Sequence, residues 1–230
     1  MAKAFFITGT DTEVGKTTIT AGLLAAANRR GLSTAAIKPI ASGCERTPEG
    51  LRNADALLLQ RTMSLSLSYE EINPIALEPA IAPHLAAAQT GVRVNAVQLA
   101  GICRGVLMQR ADLTLIEGAG GWRVPLNQRE LLSQLPKELQ LPVILVVGMR
   151  LGCINHALLT AEAIARDGLQ LAGWVANSCG VEMPSFAENV ATIKGYLRAP
   201  CLGEVPHLVQ ATPDRVADYL NCAPLIAPSV

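Results

Sequence analysis

Dense apolar runs of five to seven residues recur along the chain at 4–8, 34–39, 113–117, 142–147 and 171–177. None alternates between apolar and polar positions. Alternation marks a sheet wetted on one face, so its absence predicts strands covered on both. Helix-length stretches lie at 17–30, 94–110, 155–167 and 185–197. Strand–helix–strand repetition predicts an α/β fold, a mainly parallel β-sheet flanked by helices on both faces. Pro and Gly fall at the joints, in GLS at 31–33, TPEG at 47–50 and RAP at 198–200. No repeat, low-complexity tract or linker interrupts the pattern, so residues 1–230 are read as a single domain.

Composition narrows the function classes. Half of the 230 residues are hydrophobic and 17% are charged, enough for a large core. Aromatics make up only 3%, so Ala, Leu, Ile and Val must fill it. Lys plus Arg equals Asp plus Glu and no long basic run occurs, so no nucleic-acid partner is expected. The six cysteines form no CxxC and no zinc-type cluster, which reads as buried thiols in a reducing compartment. The longest dense apolar run, LPVILVVG at 141–148, is too short to span a bilayer. MAKAFF runs directly into the next motif, leaving no room for a leader, and a cytoplasmic protein is expected.

The candidate chemistry starts at GTDTEVGKT, residues 9–17, directly after AFFIT. Gly15-Lys16-Thr17 between a strand and a helix is the pattern of a P-loop. Backbone N–H groups at the helix start point at phosphates, Lys16 reaches the β and γ phosphates, and the Thr17 hydroxyl coordinates Mg²⁺. Five residues separate Gly9 from Gly15 where four are usual. Either the loop is one residue longer or Thr10 takes the first-glycine position. No G-x-G-x-x-G occurs, which disfavours a dinucleotide fold. Glu117 ends the run 113–117, at the strand edge where ligands of open α/β sheets gather. Gly118, Gly120 and Gly121 after it suit close backbone approach to a phosphate. Asp55 is either a second metal ligand or a helix-surface acid. Lys38, at the end of TAAIK, either neutralises a transferring phosphoryl group or faces solvent. Ser42-Gly43 either caps a turn or holds a ligand carboxylate.

Taken in order, GTDTEVGKT, KPIASG, TPEGLRNADALLLQ, EGAGGW, LPVILVVGMRLGCINHALLT, GWVAN and GEVPHL resemble the dethiobiotin synthetases over about residues 3–208. The lengthened loop is the family's own pattern. The resemblance implies closure of a ureido ring from 7,8-diaminononanoate, CO₂ and MgATP, by way of a carbamate and a carbamic-phosphoric anhydride. It implies catalytic roles for Lys38, Lys16 and Thr12. Nucleotide contacts would come from Glu13, Val14, Gly15, Lys16, Thr17 and Thr18, with Asp55, Glu117, Gly118, Ala119 and Gly120. Mg²⁺ would be held by Thr17, Asp55 and Glu117. Adenine would meet Asn177, Pro206, His207 and Leu208, the Asn amide offering a donor and an acceptor. Thr12, Lys38 and Ser42 would contact the diamine. Gly152, Cys153, Ile154 and Asn155 would reach across from a neighbouring subunit to the substrate carboxylate, which implies a homodimer with its sites at the interface. Asn155 also reads as a helix N-cap. His84 and His156 read as packing or surface residues. Arg123 sits at the edge of the implied site, where it either binds the substrate carboxylate or sits in solvent, and 209–230 matches no usable pattern.

Two other readings compete. A partitioning-type switch ATPase would carry a second lysine early in the loop, where Asp11 stands, and often a basic amphipathic C-terminal helix, unlike YLNCAPLIAPSV. An amidating ligase would usually be joined to a glutamine-hydrolysing domain, for which 230 residues leave no room.

Overall fold

A computed structural model describes residues 3–180 and 183–226, so the end of the stretch 209–230 lies outside the described residues. The chain opens with β1 (Lys3–Gly9), α1 (Lys16–Asn28) and β2 (Thr34–Ile37). An excursion follows, made of β3 (Ile40–Ala41), β4 (Glu45–Thr47), β5 (Gly50–Arg52), α2 (Ala54–Thr62), α3 (Tyr69–Ile72) and β6 (Ile75–Ala76). The helices α4 (Pro83–Thr90) and α5 (Ala96–Leu107) lead to β7 (Leu113–Glu117). Next come α6 (Gln134–Leu139), β8 (Val143–Met149), α7 (Cys153–Arg166), β9 (Leu171–Ser178) and α8 (Phe186–Tyr196). The described chain closes with β10 (Cys201–Val205), α9 (Pro213–Ala217) and α10 (Ala223–Ile226).

Six strands form one sheet in the order β10-β9-β8-β1-β7-β2, every neighbouring pair parallel. β3 pairs with β6, and β4 with β5, as small separate ribbons. The missing alternation has the expected cause. On β8, Leu145 and Val147 pack with Trp174 and Ala176 of β9 under α7 and α8. Their neighbours Ile144, Val146 and Val175 face the larger core, which includes Ile19, Leu23 and Leu24 of α1. Every residue of β2, β7 and β8 is buried. That two-sided burial is the main stabilising term, since it removes both faces of each strand from water.

Three features differ from the expectation. β10 extends the sheet, although CLGEV carries no continuous apolar run. It is an edge strand, with Glu204 exposed and paired to Lys194 at 2.6 Å. α7 starts at Cys153 rather than Asn155. Gly152 in a left-handed conformation (φ 95°) is its N-cap, and Asn155 lies inside the first turn, so Asn155 is not the cap. α5 starts at Ala96, capped by the Asn95 side chain bonding Gln98 N–H at 2.8 Å. Among the described residues no helix is long and apolar enough to cross a membrane.

Candidate active site

Three adjacent strands, β2, β7 and β1, end at the same edge, and each delivers one part of a cleft. In register, Ile37 lies beside Ile116, and Ile7 lies beside Glu117. Lys38, one residue beyond β2, therefore comes level with Glu117, the last residue of β7. The loop after β1 rises next to them and turns into α1.

That loop is held from below. Thr10 N–H donates to Val146 O at 2.9 Å, and Gly148 N–H donates to the Thr10 hydroxyl at 3.2 Å. Val14 is buried against Gly9 and Gly148, where a Cβ on either would meet its methyls at 2.6 Å. Gly15 caps α1 at φ 85°, a left-handed conformation that costs other residues about 1–2 kcal/mol. A Cβ on Gly15 would also run into the Asn177 amide. No acidic residue occupies the first turn of α1, so its positive end is left for an anion. Asp11 ion-pairs with Arg150 and accepts from Thr12 N–H at 2.8 Å.

The charged centre is compact. Glu117 is fully buried, and its Oε1 accepts from the Thr17 hydroxyl and from Lys38 Nζ, both at 2.6 Å. Lys38 Nζ is also 2.9 Å from Asp55 Oδ2. Burial works against the Lys38 charge, but Glu117 and Asp55 outweigh it and hold this ammonium above the ordinary lysine range. For Asp55, partial burial works against its charge too, and Lys38 overcomes it, keeping the carboxyl below its usual value. Lys16 is placed differently. Its Nζ donates to the Asp11 carbonyl at 3.1 Å, with no carboxylate of the described residues at that distance, and burial pushes it down to about 8. Glu117 resists that fall, while the like charge of Lys38 adds to it.

The donor set suits a hard divalent cation. Glu117 Oε2 is buried without a hydrogen-bond partner, beside the Thr17 hydroxyl and near the Asp55 carboxylate. Among the described residues no group of three or more His, Cys, Asp or Glu could hold a metal. Two carboxylates and a hydroxyl match Mg²⁺, which keeps several waters and takes its other ligands from substrate phosphates.

A cleft of about 560 Å³ opens above this centre. Thr12, Glu13, Gly15, Lys16, Thr17 and Thr18 line it from the loop side, and Lys38, Ser42 and Asp55 from the excursion. Glu117, Ala119 and Gly120, at and after the end of β7, also line it. The Ser42 hydroxyl is buried without a partner, so its hydrogen-bonding capacity is available to a ligand. Gly118 does not line the cleft. It is a packing residue, where a Cβ would meet the Phe6 ring at 2.8 Å. Arg123 reaches the rim but is tied to Asp167 at 2.6 Å, which also accepts from Trp122 Nε1 at 2.9 Å.

The remaining expected residues lie outside this cleft. Asn177 is buried behind Gly15, and its amide nitrogen donates to Val14 O at 2.9 Å, so that donor serves the loop. Pro206, His207 and Leu208 follow β10 at the same sheet edge as Asn177. Gly152 to Asn155 do not line the cleft of their own chain, and Cys153, the first residue of α7, is buried against β8 and β9. All six cysteines are free thiols, four of them buried. Sequence reading passed over Asn53, whose side chain caps α2 and which lines the cleft. An Asn directly before ADALLL was the available signal.

Known proteins settle which family has this arrangement. A family described as an AAA domain matches residues 3–215. A protein of Pseudomonas aeruginosa (strain UCBPP-PA14), named ATP-dependent dethiobiotin synthetase BioD, is 63% identical over 96% of this chain and 97% of its own. The chain belongs to the ATP-dependent dethiobiotin synthetases. A protein of the same name from Cellvibrio japonicus (strain Ueda107) is 59% identical over 97% of this chain and 98% of its own. One from Aeromonas salmonicida (strain A449) is 46% identical over 98% of this chain and its own full length. Solved structures add the fold alone. A ParA family ATPase from Chlorobium tepidum TLS superposes with TM-score 0.55 at 10% identity, covering 97% of this chain and 92% of its own. The MinD cell division protein of Aquifex aeolicus gives TM-score 0.53 at 15% identity, covering 94% and 87%. These two structures share the architecture, while the three sequence relatives named above carry the synthetase name.

Proposed function

We propose that the chain, one P-loop unit, closes the ureido ring of dethiobiotin from 7,8-diaminononanoate, CO₂ and ATP, the penultimate step of biotin synthesis. The observation that carries this is the Lys38 ammonium held between Asp55 and Glu117 at the mouth of the phosphate loop. Such a group stabilises charge on a transferring phosphoryl group better than a solvated lysine would, because it is fixed before the reaction.

One substrate amine attacks CO₂, forms an N–C bond and loses a proton to give a carbamate. A carbamate oxygen attacks the γ-phosphorus, the bond to the β-phosphate bridge breaks, and ADP leaves. The second amine then attacks the carbonyl carbon and loses a proton, and the bond to the phosphate oxygen breaks. The ring closes as inorganic phosphate departs. Lys16 and the N-terminal N–H groups of α1 hold the triphosphate. Lys38 holds the carbamate against the γ-phosphate, which is a matter of proximity as much as charge. Thr12 and Ser42 orient the diamine. Mg²⁺ bound with ATP would neutralise phosphate charge, held by Thr17, Asp55 and Glu117. Asn177 acts through Val14 on the loop, with its remaining oxygen and the segment 206–208 turned to adenine.

The working unit is a cytoplasmic homodimer. Segment 152–155 stands away from its own cleft, with Leu151 almost wholly exposed beside it, which supports its use by a partner. There, the left-handed Gly152 and the N-terminus of the fourteen-residue α7, which no side chain caps, suit a carboxylate tail.

Isotope transfer tests the chemistry. With ¹⁸O-bicarbonate, freshly mixed, one labelled oxygen should appear in each inorganic phosphate and one in the product carbonyl. Unlabelled phosphate alongside normal product would exclude attack by the carbamate oxygen.

A further inference from the structure

Behind the cleft runs a chain of hydrogen bonds that returns to its starting residue. The Lys38 carbonyl accepts from Asn73 Nδ2 at 2.7 Å, and Asn73 Oδ1 accepts from the Tyr69 hydroxyl at 3.0 Å. That hydroxyl accepts from Asn53 N–H at 2.7 Å. Asn53 Oδ1 then accepts from the N–H groups of Asp55 and Ala56 at 3.1 and 3.2 Å, which caps α2. Asp55 completes the loop through its carboxylate, 2.9 Å from Lys38 Nζ. Lys38 N–H is also tied to Ile72 O at 2.8 Å.

Neither Tyr69 nor Asn73 lines the cleft, and they are only 7% and 3% exposed. A packing role alone would be served by Phe at 69, without the cost of burying a hydroxyl. Here the hydroxyl uses both its donor and an acceptor on groups that lead to Lys38 in opposite directions around the loop. One path fixes the backbone that carries Lys38. The other fixes the first turn of the helix that carries Asp55. The helix that carries Tyr69, α3, is fixed at its start by a capping box between Ser68 and Glu71, and Arg52 lies 4.2 Å over the tyrosine ring.

We propose that Tyr69 is a positioning residue for the phosphoryl-transfer site: its hydroxyl joins the end of β2 to the start of α2 and so sets where the Lys38 ammonium stands. The proposal rests on Lys38 acting as described under the proposed function, and it adds the device that aims it.

Two substitutions in the full chain test it, Tyr69→Phe and Asn73→Ala: both remove the Tyr69–Asn73 bond, the first also frees Asn53 N–H and the second the Lys38 carbonyl. Each should lower kcat for dethiobiotin formation about 10-fold, the usual scale for losing a supporting partner of a site residue. KM for ATP and for the diamine should stay within about twofold, because neither residue lines the cleft. The double variant should lose no more than the weaker single variant, since both break one circuit. The proposal fails if Tyr69→Phe keeps kcat within about twofold of the parent while its Tm falls. It also fails if the two losses multiply, or if KM for ATP rises as kcat drops. Failure of both variants to fold would assign the circuit to the scaffold and overturn the proposal as well. No product from the unsubstituted protein is a different outcome, counting against the reaction and not against the circuit.

Discussion

At the scale of single residues, the two lysines of the site have opposite electrostatic situations. Lys38 is paired and charged throughout the ordinary pH range. Lys16 is buried, without a carboxylate of the described residues within bonding distance, and pushed down to about 8. Its unfolded value of 10.5 is 2.5 units higher, so keeping it charged costs the nucleotide-free fold roughly 3 kcal/mol below pH 8. That penalty fades as pH rises from 8 towards 10.5. A bound triphosphate favours the ammonium, so ATP binding should take up a proton between about pH 8 and 10. Calorimetry at pH 8.5 in two buffers of different ionisation enthalpy should show the uptake, and ATP affinity should weaken as pH rises above 8. Equal Kd at pH 7 and 9.5 with no proton uptake would contradict this. For Lys38, replacement by Gln should lower kcat about 10²–10³-fold with ATP Kd nearly unchanged. Its Tm should also drop, because Glu117 loses its buried counter-ion. A proportional loss of ATP affinity would instead make Lys38 a nucleotide ligand only. Lys16 and Thr17 were legible from the Gly-Lys-Thr loop and Glu117 from its place at a strand end, whereas the end of β2 alone left Lys38 open between the site and solvent. Tyr69 and Asn73 were not legible, since a buried hydroxyl and amide look in sequence like any other core positions.

At the scale of elements, the joint between β1 and α1 is the most constrained. Gly15→Ala places a Cβ on a left-handed residue and against the Asn177 amide. Tm should fall by several degrees, and the stabilisation normally given by ATP should vanish in a thermal melt. Retained ATP stabilisation would show that the loop can relax around the methyl. Strands inside the sheet were readable because burial on both faces leaves an unbroken apolar run. β10 was not, because an edge strand with Gly203 and an ion-paired Glu204 lacks that run. The start of α7 was misread for a local reason. Asn is a favoured cap, but the left-handed Gly152 takes the position three residues earlier. Gly118 was misjudged in a similar way, since close approach to Phe6 calls for glycine as surely as close approach to a phosphate.

At the scale of the whole molecule, the order of strands explains why residues as far apart as Lys16, Lys38, Asp55 and Glu117 meet. β7 lies between β1 and β2, so the buried glutamate at its end stands between the two lysine-bearing strand ends. The sequence pattern predicts a parallel sheet and its active edge, but strand order depends on pairing that no local run encodes. Assembly belongs to this scale too. Sedimentation should give the mass of two chains, and Asn155→Ala should raise KM for the diamine while sparing that for ATP. A monomer at assay concentration, or unchanged diamine KM, would remove segment 152–155 from the site. The most direct measurement is to incubate the purified protein with 7,8-diaminononanoate, bicarbonate and MgATP and follow products by mass spectrometry. Dethiobiotin with one ADP per molecule, dependent on all three reactants, is the expected result. ATP hydrolysis with no ureido product would contradict it.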